Sequence, residues 1–473
     1  MIKLPSMIYD YVILGGGIAG LYTAYQILKK YPHANLLILE KYKTLGGRVY
    51  THHDTTMDVE AGAGRFHSGH THLLALIREL GLQSKMTKIT STATYVDNSG
   101  KRMNSILDAP NDIIGVYTFI EKTNTAALPS PEPALMAALD NFLGKENLPN
   151  AGIITKILWA SKTVSAESLR NQSLLDFAKT VVTTEEVEFL KASFGYYSEL
   201  VIMNAYDALY LIVVHLSPIH QYYVLKGGLS QIIVKLEARL LKYVNVRILK
   251  NRTIDKIRQI TWKGEKSFEI SCSNLSTIYS AKNCISALPK QVVESLTFFR
   301  PLSKLLSQIK CAPLCRIYSK FPLIPKAPGK KAHQWFSGLP KLTTNNNLRM
   351  VIPYDESNGL IMTSYSDNKF AKYWKKLYDT KGIDAVNREL MTLLKKTTGI
   401  NNIPEPIKTE VFYWDCGVGY WGVGANSEKT SKIIAQPFGP DVKMFLCGEH
   451  FSAKNQQWME GALDTSLAVC SRL

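Results

Sequence analysis

"YDYVILGGGIAGLYTAYQILKKY", residues 9–31, begins as a short β-type run, turns through three glycines and continues with Ile18, Leu21, Ala24, Tyr25 and Leu28 at helical spacing. "ANLLILEKY", residues 34–42, is a second buried strand ending in Glu40. Strand, helix and strand make a β-α-β unit, right-handed with parallel strands. Gly15, Gly17 and Gly20 form G-x-G-x-x-G, and Glu40 lies 20 positions after the last of them. In that setting Gly15 makes the tight turn and Gly17 lets the backbone approach a pyrophosphate. Gly20 lets helix and strand pack, while the helix N-terminus with Ile18 and Ala19 holds the anion. Glu40 would accept the hydroxyls of an adenosine ribose, which disfavours a 2′-phosphate.

A chain of 473 residues, 46% apolar and 20% charged, has room for two domains or one large α/β domain with an inserted second one. The net charge of +17 invites a nucleic-acid reading, but the lysines are scattered and no binding motif accompanies them. What remains is nonspecific attraction to anionic surfaces, with no specific nucleic acid as partner. The seven cysteines (272, 284, 311, 315, 416, 447 and 470) are sparsely spread and several sit in apolar runs. They read as reduced thiols in a cytosol-like compartment. The N-terminus runs straight into the first strand, leaving no room for a signal peptide. The longest apolar run, "ALYLIVVHLSPI", is interrupted by His215 and Pro218 and is too short to span a bilayer. A soluble, cytoplasmic protein is expected, with a homodimer as one allowed assembly.

From about residue 90 to 215 the pattern reads mainly helical, with periodic stretches such as "PALMAALDNFLG", "LLDFAKTVV" and "EEVEFLKASFGYY". "KGGLSQIIVKLEARLLKY" follows as an amphipathic helix, then "VRIL", "IDKIRQI", "KSFEISC" and "YSAKNCISALP" read as strands. Residues 290–425 mix helices and strands, and the tail is one more strand, a loop and a closing helix. The expected fold is α/β. Segments 1–90, 216–290 and 426–473 build a nucleotide-binding domain, and 91–215 and 291–425 an inserted α+β domain whose 91–215 part is a helical subregion.

Beyond the second strand, "EKYKTLGGRVYT" places Gly46, Gly47 and Arg48 where FAD-binding oxidoreductases carry an extended fingerprint. The tail "GEHFSAKNQQWMEGALDTS" resembles the C-terminal flavin motif of the flavin amine oxidase family, which includes monoamine, polyamine and L-amino-acid oxidases. "LKGGLSQI", "ISALP" and "RIYSKFP" fall in that family's order and spacing. Segments 90–215 and 325–400 are much less recognisable. The resemblance implies a glutathione-reductase-type, Rossmann-like FAD domain. It also implies oxidation of a small-molecule amine or amino acid by hydride transfer to flavin N5, giving an imine, with dioxygen reduced to hydrogen peroxide.

Position by position, the resemblance puts Gly47 and Arg48 at the pyrophosphate, Gly448 and Glu449 at the ribityl and phosphate part, Ile254 at the adenine and Met459 at the pyrimidine end. Gly62, Ala63 and Gly64 of "AGAGRFHSGH" form a close-packing loop against the flavin. Trp458 and Tyr420 become two walls of an aromatic cage, with Trp421 as the neighbouring alternative. Gly419 stands where covalently flavinylated relatives have a cysteine, which implies noncovalent FAD. Arg316, with Leu314 as the other alignment, stands where the family usually has a lysine. Arg65 falls where L-amino-acid oxidases pair an arginine with the substrate carboxylate, its structural alternative being a bond to the cofactor or a neighbouring acid. The histidines of "HSGHTH" lack companions for a metal, so none is expected. A polyamine or monoamine oxidase, and a flavin-binding protein with a structural or virion-associated role, are the competing readings.

Overall fold

In the computed structural model, which describes residues 8–90, 93–96, 102–103, 153–216, 220–273, 275–324 and 332–473, the glycine-bearing unit forms the centre of the first sheet. Strand Ile8–Leu14 pairs in parallel with Leu36–Leu39 on one side and Ile278–Ser286 on the other. Val246–Leu249 extends the sheet past Leu36–Leu39, and Met444–Leu446 runs parallel to Ile278–Ser286. Strands Ile254–Trp262 and Glu265–Cys272 join antiparallel. A strand covered on both faces reads as an unbroken apolar run, and every residue of Leu36–Leu39 is buried. Each such side chain contributes about 1.5–3 kcal/mol.

Helix Ile18–Lys30 covers this sheet and packs against helices Ser230–Leu240 and Met459–Cys470. A Cβ on Gly20 would lie 2.0 Å from the Gly15 carbonyl oxygen, so only glycine permits this approach. Gly15 itself turns at φ +102°, a region closed to most side chains. The architecture is the α/β, Rossmann-like one expected, with a second sheet beside it.

The second sheet runs in the order Lys408–Trp421, Ile309–Lys320, Leu360–Asp367, Met350–Asp355, Leu342–Thr344, Thr94–Val96, Arg102–Met103. Helix Asn368–Thr398, broken at Gly382 (φ 73°, ψ −177°), covers one face, where Trp374, Leu390 and Leu394 cluster with Cys315 and Ile317. Strand alternation then turns Leu314, Arg316 and Tyr318 to the opposite face, which lines a large cavity. The helices from Ile153–Ser161 to Ala205–His215 form their own core, which reaches the sheet through Ala312 and Tyr420.

Two expectations change. Segment 91–215 is not helical throughout, because Thr94–Val96 and Arg102–Met103 are strands of the second sheet. Strands this short show no readable period, and the parallel partner of the first, Leu342–Thr344, lies far along the chain. "PALMAALDNFLG" and residues 1–7 lie outside the described residues. The cysteines are not all thiols: Cys311 and Cys416 form a disulfide with Cα atoms 5.1 Å apart. Pro313 offers no N–H to the ladder, and the facing strand bulges there, so that Ala312 pairs with Val418 and Leu314 with Trp414. The bulge carries Cys416 across to Cys311, a proximity that their separation of 105 residues hides. Among the described residues, no helix is long and apolar enough to cross a membrane.

Closing a loop of this length removes about 3–5 kcal/mol of unfolded-state entropy in the chain-entropy account. Thiol titration in denaturant should therefore find five reactive cysteines before reduction and seven after it, with a lower melting temperature for C311S. Seven thiols without reductant would refute the bond.

Candidate active site

A cavity of about 1820 Å³ runs from the glycine turn to the second sheet. At one end lie Gly15, Gly17, Ile18, Ala19, Glu40 and Ile254. The Glu40 carboxylate is fixed by the N–H groups of Gly16 (2.7 Å) and Tyr42 (2.8 Å), so it faces the cavity in one orientation. Helix Ile18–Lys30 has no acidic residue in its first turn and no side-chain cap at Gly17, which leaves its N–H groups and positive dipole end available to an anion. A Cβ on Gly17 would meet nothing closer than 3.7 Å. This is an anion cradle that a side chain would fill, as a dinucleotide requires. Gly20 does not line the cavity; its part is the packing described above.

Farther along, Gly47, Arg48, Gly448, Glu449 and Met459 line the wall. Arg48 donates to Glu449 (2.7 Å) and to the Gly417 carbonyl (3.0 Å), so the expected pyrophosphate and ribityl ligands are joined as an ion pair. Met459 opens helix Met459–Cys470, whose N-terminus faces the same space. Gly419 has no side chain to bond a flavin, and the sulfur of Cys416 is already committed.

The loop Gly62–Arg65 crosses between the two sheets and is held from the second. Arg316 (2.8 Å) and Tyr318 (2.9 Å) both donate to the Glu60 carbonyl, and Trp414 donates to that of Ala61 (2.7 Å). Gly64 packs close to the same side chain: a Cβ there would lie 3.1 Å from the Arg316 guanidinium, which would have to shift slightly to admit it. Arg316 and Leu314 both line the cavity, but the arginine's planar fork is used on the loop backbone and over the Tyr365 ring at 5.0 Å. Arg65 stands on the cavity wall, donating to Tyr196 (2.7 Å), with its guanidinium over Tyr222 (4.7 Å) and near Trp458 (5.9 Å).

Strand alternation separates the two aromatic alternatives. Tyr420 faces the cavity, whereas Trp421 is buried in the core and donates to the Ser452 carbonyl. Trp458 lines the cavity, and its buried indole N–H has no hydrogen-bond partner among the described residues, a donor that a ligand can satisfy. Behind Trp458 lie His67 and His70, with ring centroids 5.1 and 4.8 Å from it. His215 joins them from helix Ala205–His215 to form a buried trio. His67 Nδ1 accepts the Gly69 N–H, its Nε2 lies 3.1 Å from His215 Nδ1, and His215 Nε2 lies 2.8 Å from the Lys454 carbonyl oxygen. The tautomers satisfying this chain protonate Nε2 of both rings. Burial holds His67 and His70 far below the imidazole range and His215 at about 4. These bonds favour a neutral relay over a metal triad, because the His67 lone pair that a metal would need is replaced by an N–H. His72 lies apart, beside Asp464.

Sequence reasoning missed Tyr196, Glu199, Lys341, Tyr365 and Asp367, all of which line the cavity. Tyr365 and Asp367 had a readable signal, since two residues apart in a strand they share a face. Glu199 and Lys341 had none.

A family model described as flavin-containing amine oxidoreductase matches residues 18–473. The chain is 22% identical over 486 residues to uncharacterized protein R188 of Acanthamoeba polyphaga mimivirus, covering 97% of this chain and 92% of that one. A putrescine oxidase variant with redesigned cofactor binding superposes with a TM-score of 0.68 at 14% identity, over 99% of both chains. A provisionally named protoporphyrinogen oxidase from Exiguobacterium sp. 255-15 gives 0.64 at 16% identity, over 98% of this chain and 97% of that one. At such identities the likeness to these structures is one of fold.

Two outcomes follow from this geometry. G17A should fold with near-native stability yet purify without bound flavin, whereas G20A should lose the fold; equal flavin content in G17A and the parent would remove Gly17 from the cradle. Burial raises the Glu60 carboxyl from 4.5 to about 7, although Leu229 N–H and the Thr51 hydroxyl donate to it. Between those pH values the folded state holds a proton that the unfolded state has lost, so stability falls as pH rises through the window, by roughly 3 kcal/mol at most. E60Q should flatten that fall in denaturant titrations across the window; an unchanged slope would show that other groups set it.

Proposed function

We propose a reaction from two premises: the chain belongs to the flavin-containing amine oxidoreductase family, and its cofactor is FAD. The reaction is the oxidation of an α-amino acid to its imine, which water then hydrolyses to a keto acid and ammonia. FAD, when bound, supplies the two-electron acceptor for hydride from the carbon bearing the nitrogen and passes the pair to dioxygen, giving hydrogen peroxide.

The observation that carries this reading is Arg65. Its guanidinium stands on the cavity wall beside Trp458, one of the two expected cage aromatics. A guanidinium fork matches a carboxylate bidentately, and in a water-poor cavity such a bond is strong. Lys341 lines the same cavity and is held down to about 7 by burial and by the Arg65 charge. An incoming carboxylate would relieve that repulsion, so binding near neutral pH is accompanied by proton uptake at Nζ.

Tyr420 and Trp458 exclude water from the reacting carbon and nitrogen. Desolvation between them favours the neutral amine, whose lone pair drives hydride loss, without requiring a carboxylate base. Arg316 acts as a positioning residue: by gripping the Glu60 carbonyl it holds the loop on which Arg65 is presented.

R65A should raise KM for amino acids about 100-fold while changing KM for simple amines less than a few-fold, as expected for loss of one charge-assisted carboxylate contact. A peroxide assay with both substrate types reads the difference. Equal losses on both would overturn the carboxylate role.

A further inference from the structure

Two buried carboxyl groups stand on the wall of the same cavity. Glu199 lies in the short helix Tyr197–Val201, and Asp367 at the end of strand Leu360–Asp367. Each is 4% exposed, and both line the cavity. One Asp367 oxygen accepts the Ser198 N–H at 2.6 Å. The other, Oδ1, and Glu199 Oε2 have no hydrogen-bond partner among the described residues. Nor does either acid form an ion pair within 4.0 Å among those residues. The nearby buried cation, Arg349, gives its terminal nitrogens to the carbonyls of Lys191, Ala192, Phe194 and Thr344.

Buried carboxyl oxygens without donors are costly and rare. Here burial, and for Glu199 the charge of Asp367 as well, raise both groups above the usual carboxylate range. The cost falls if a ligand brings N–H donors and positive charge. Tyr420 and Tyr365 line the same cavity, and the charges of the acids raise these hydroxyls, Glu199 and Asp367 acting on Tyr420 and Glu199 on Tyr365. Aromatic faces beside carboxylates suit an organic ammonium. Among the described residues, no third His, Cys, Asp or Glu joins this pair in a group that could hold a metal ion. The cavity therefore carries two basic side chains, Arg65 and Lys341, together with a buried acid pair, all among its lining residues.

We infer that Glu199 and Asp367 form a specificity subsite for a second ammonium group on the substrate, which makes the preferred class a basic α-amino acid. Its carboxylate lies at Arg65 and its side-chain ammonium at the acid pair. The assignment rests on the oxidase reading above for the carboxylate arm, but the acid pair stands on its own geometry.

The test uses flavin-loaded protein and two matched pairs: L-lysine with L-norleucine, and 1,5-diaminopentane with 1-aminopentane. Dissociation constants come from anaerobic calorimetry, and kcat/KM from peroxide release. The cationic member of each pair should bind at least about 100-fold more tightly than its neutral counterpart. E199Q should cut that ratio at least tenfold, acting on KM more than on kcat, and D367N should do the same. Because Asp367 also holds the Ser198 N–H, E199Q decides the matter should D367N fail to fold. A ratio near one in the parent protein, or a ratio untouched by E199Q, would overturn the subsite. A cationic preference in binding that E199Q erases upholds the subsite even where no peroxide forms; absence of peroxide with every substrate would refute the oxidase reading alone.

Discussion

Glu60 is the residue through which the parts of this protein hold one another. Its carboxylate takes the Leu229 N–H at the start of a helix that backs the first sheet, and the Thr51 hydroxyl from the small hairpin. Its carbonyl takes Arg316 and Tyr318 from the second sheet, and its N–H goes to the Tyr354 hydroxyl. A buried backbone unit must be bonded on both sides, and here both sides are bonded by different elements. The loop that follows, Ala61 to Arg65, inherits its position from this junction. The cofactor cradle, the glycine-lined approach and the arginine on the cavity wall thus share one anchor.

The cavity sets basic and acidic side chains on one wall. Arg65 and Lys341 are basic, Lys341 held down to about 7, Glu199 and Asp367 are acidic, and all four sit among aromatic and aliphatic side chains. In a low-dielectric space each charge is expensive alone and valuable when matched. Such a cavity discriminates by pattern: a ligand is stabilised only when its own charges fall opposite those of the wall, and a neutral analogue leaves buried groups unsatisfied. The histidine trio behind Trp458 contributes the reverse property. Held neutral by burial, it supports the ring without adding charge to the site.

The dinucleotide end was legible because its chemistry is local. The turn, the helix N-terminus and Glu40 lie within one β-α-β unit, and each requirement there is a backbone conformation or a short spacing. The tail motif was legible for the same reason. The substrate end was only half legible. Tyr420 could be narrowed to a pair, and the alternation of its strand then separated it from Trp421. Arg316 was seen at its position, but its use as an anchor for the loop depends on a carbonyl in a distant segment. Glu199 and Lys341 come from segments with no recognisable pattern, and nothing local marks a lone acid or lysine as facing a cavity.

By itself, the sequence determined the α/β class, the cofactor cradle and the apolar strands of the first sheet, since these follow from hydrophobic period, glycine conformation and helix polarity over a few tens of residues. Tertiary structure alone decided which side chains meet across the two sheets. The Cys311–Cys416 bond, the short strands Thr94–Val96 and Arg102–Met103, and the Glu199–Asp367 pair all depend on register and packing between segments far apart in the chain. The physical reason is common to all of them. A local period reports which face of an element is buried, but the partner of that face is chosen by the free energy of the whole assembled core.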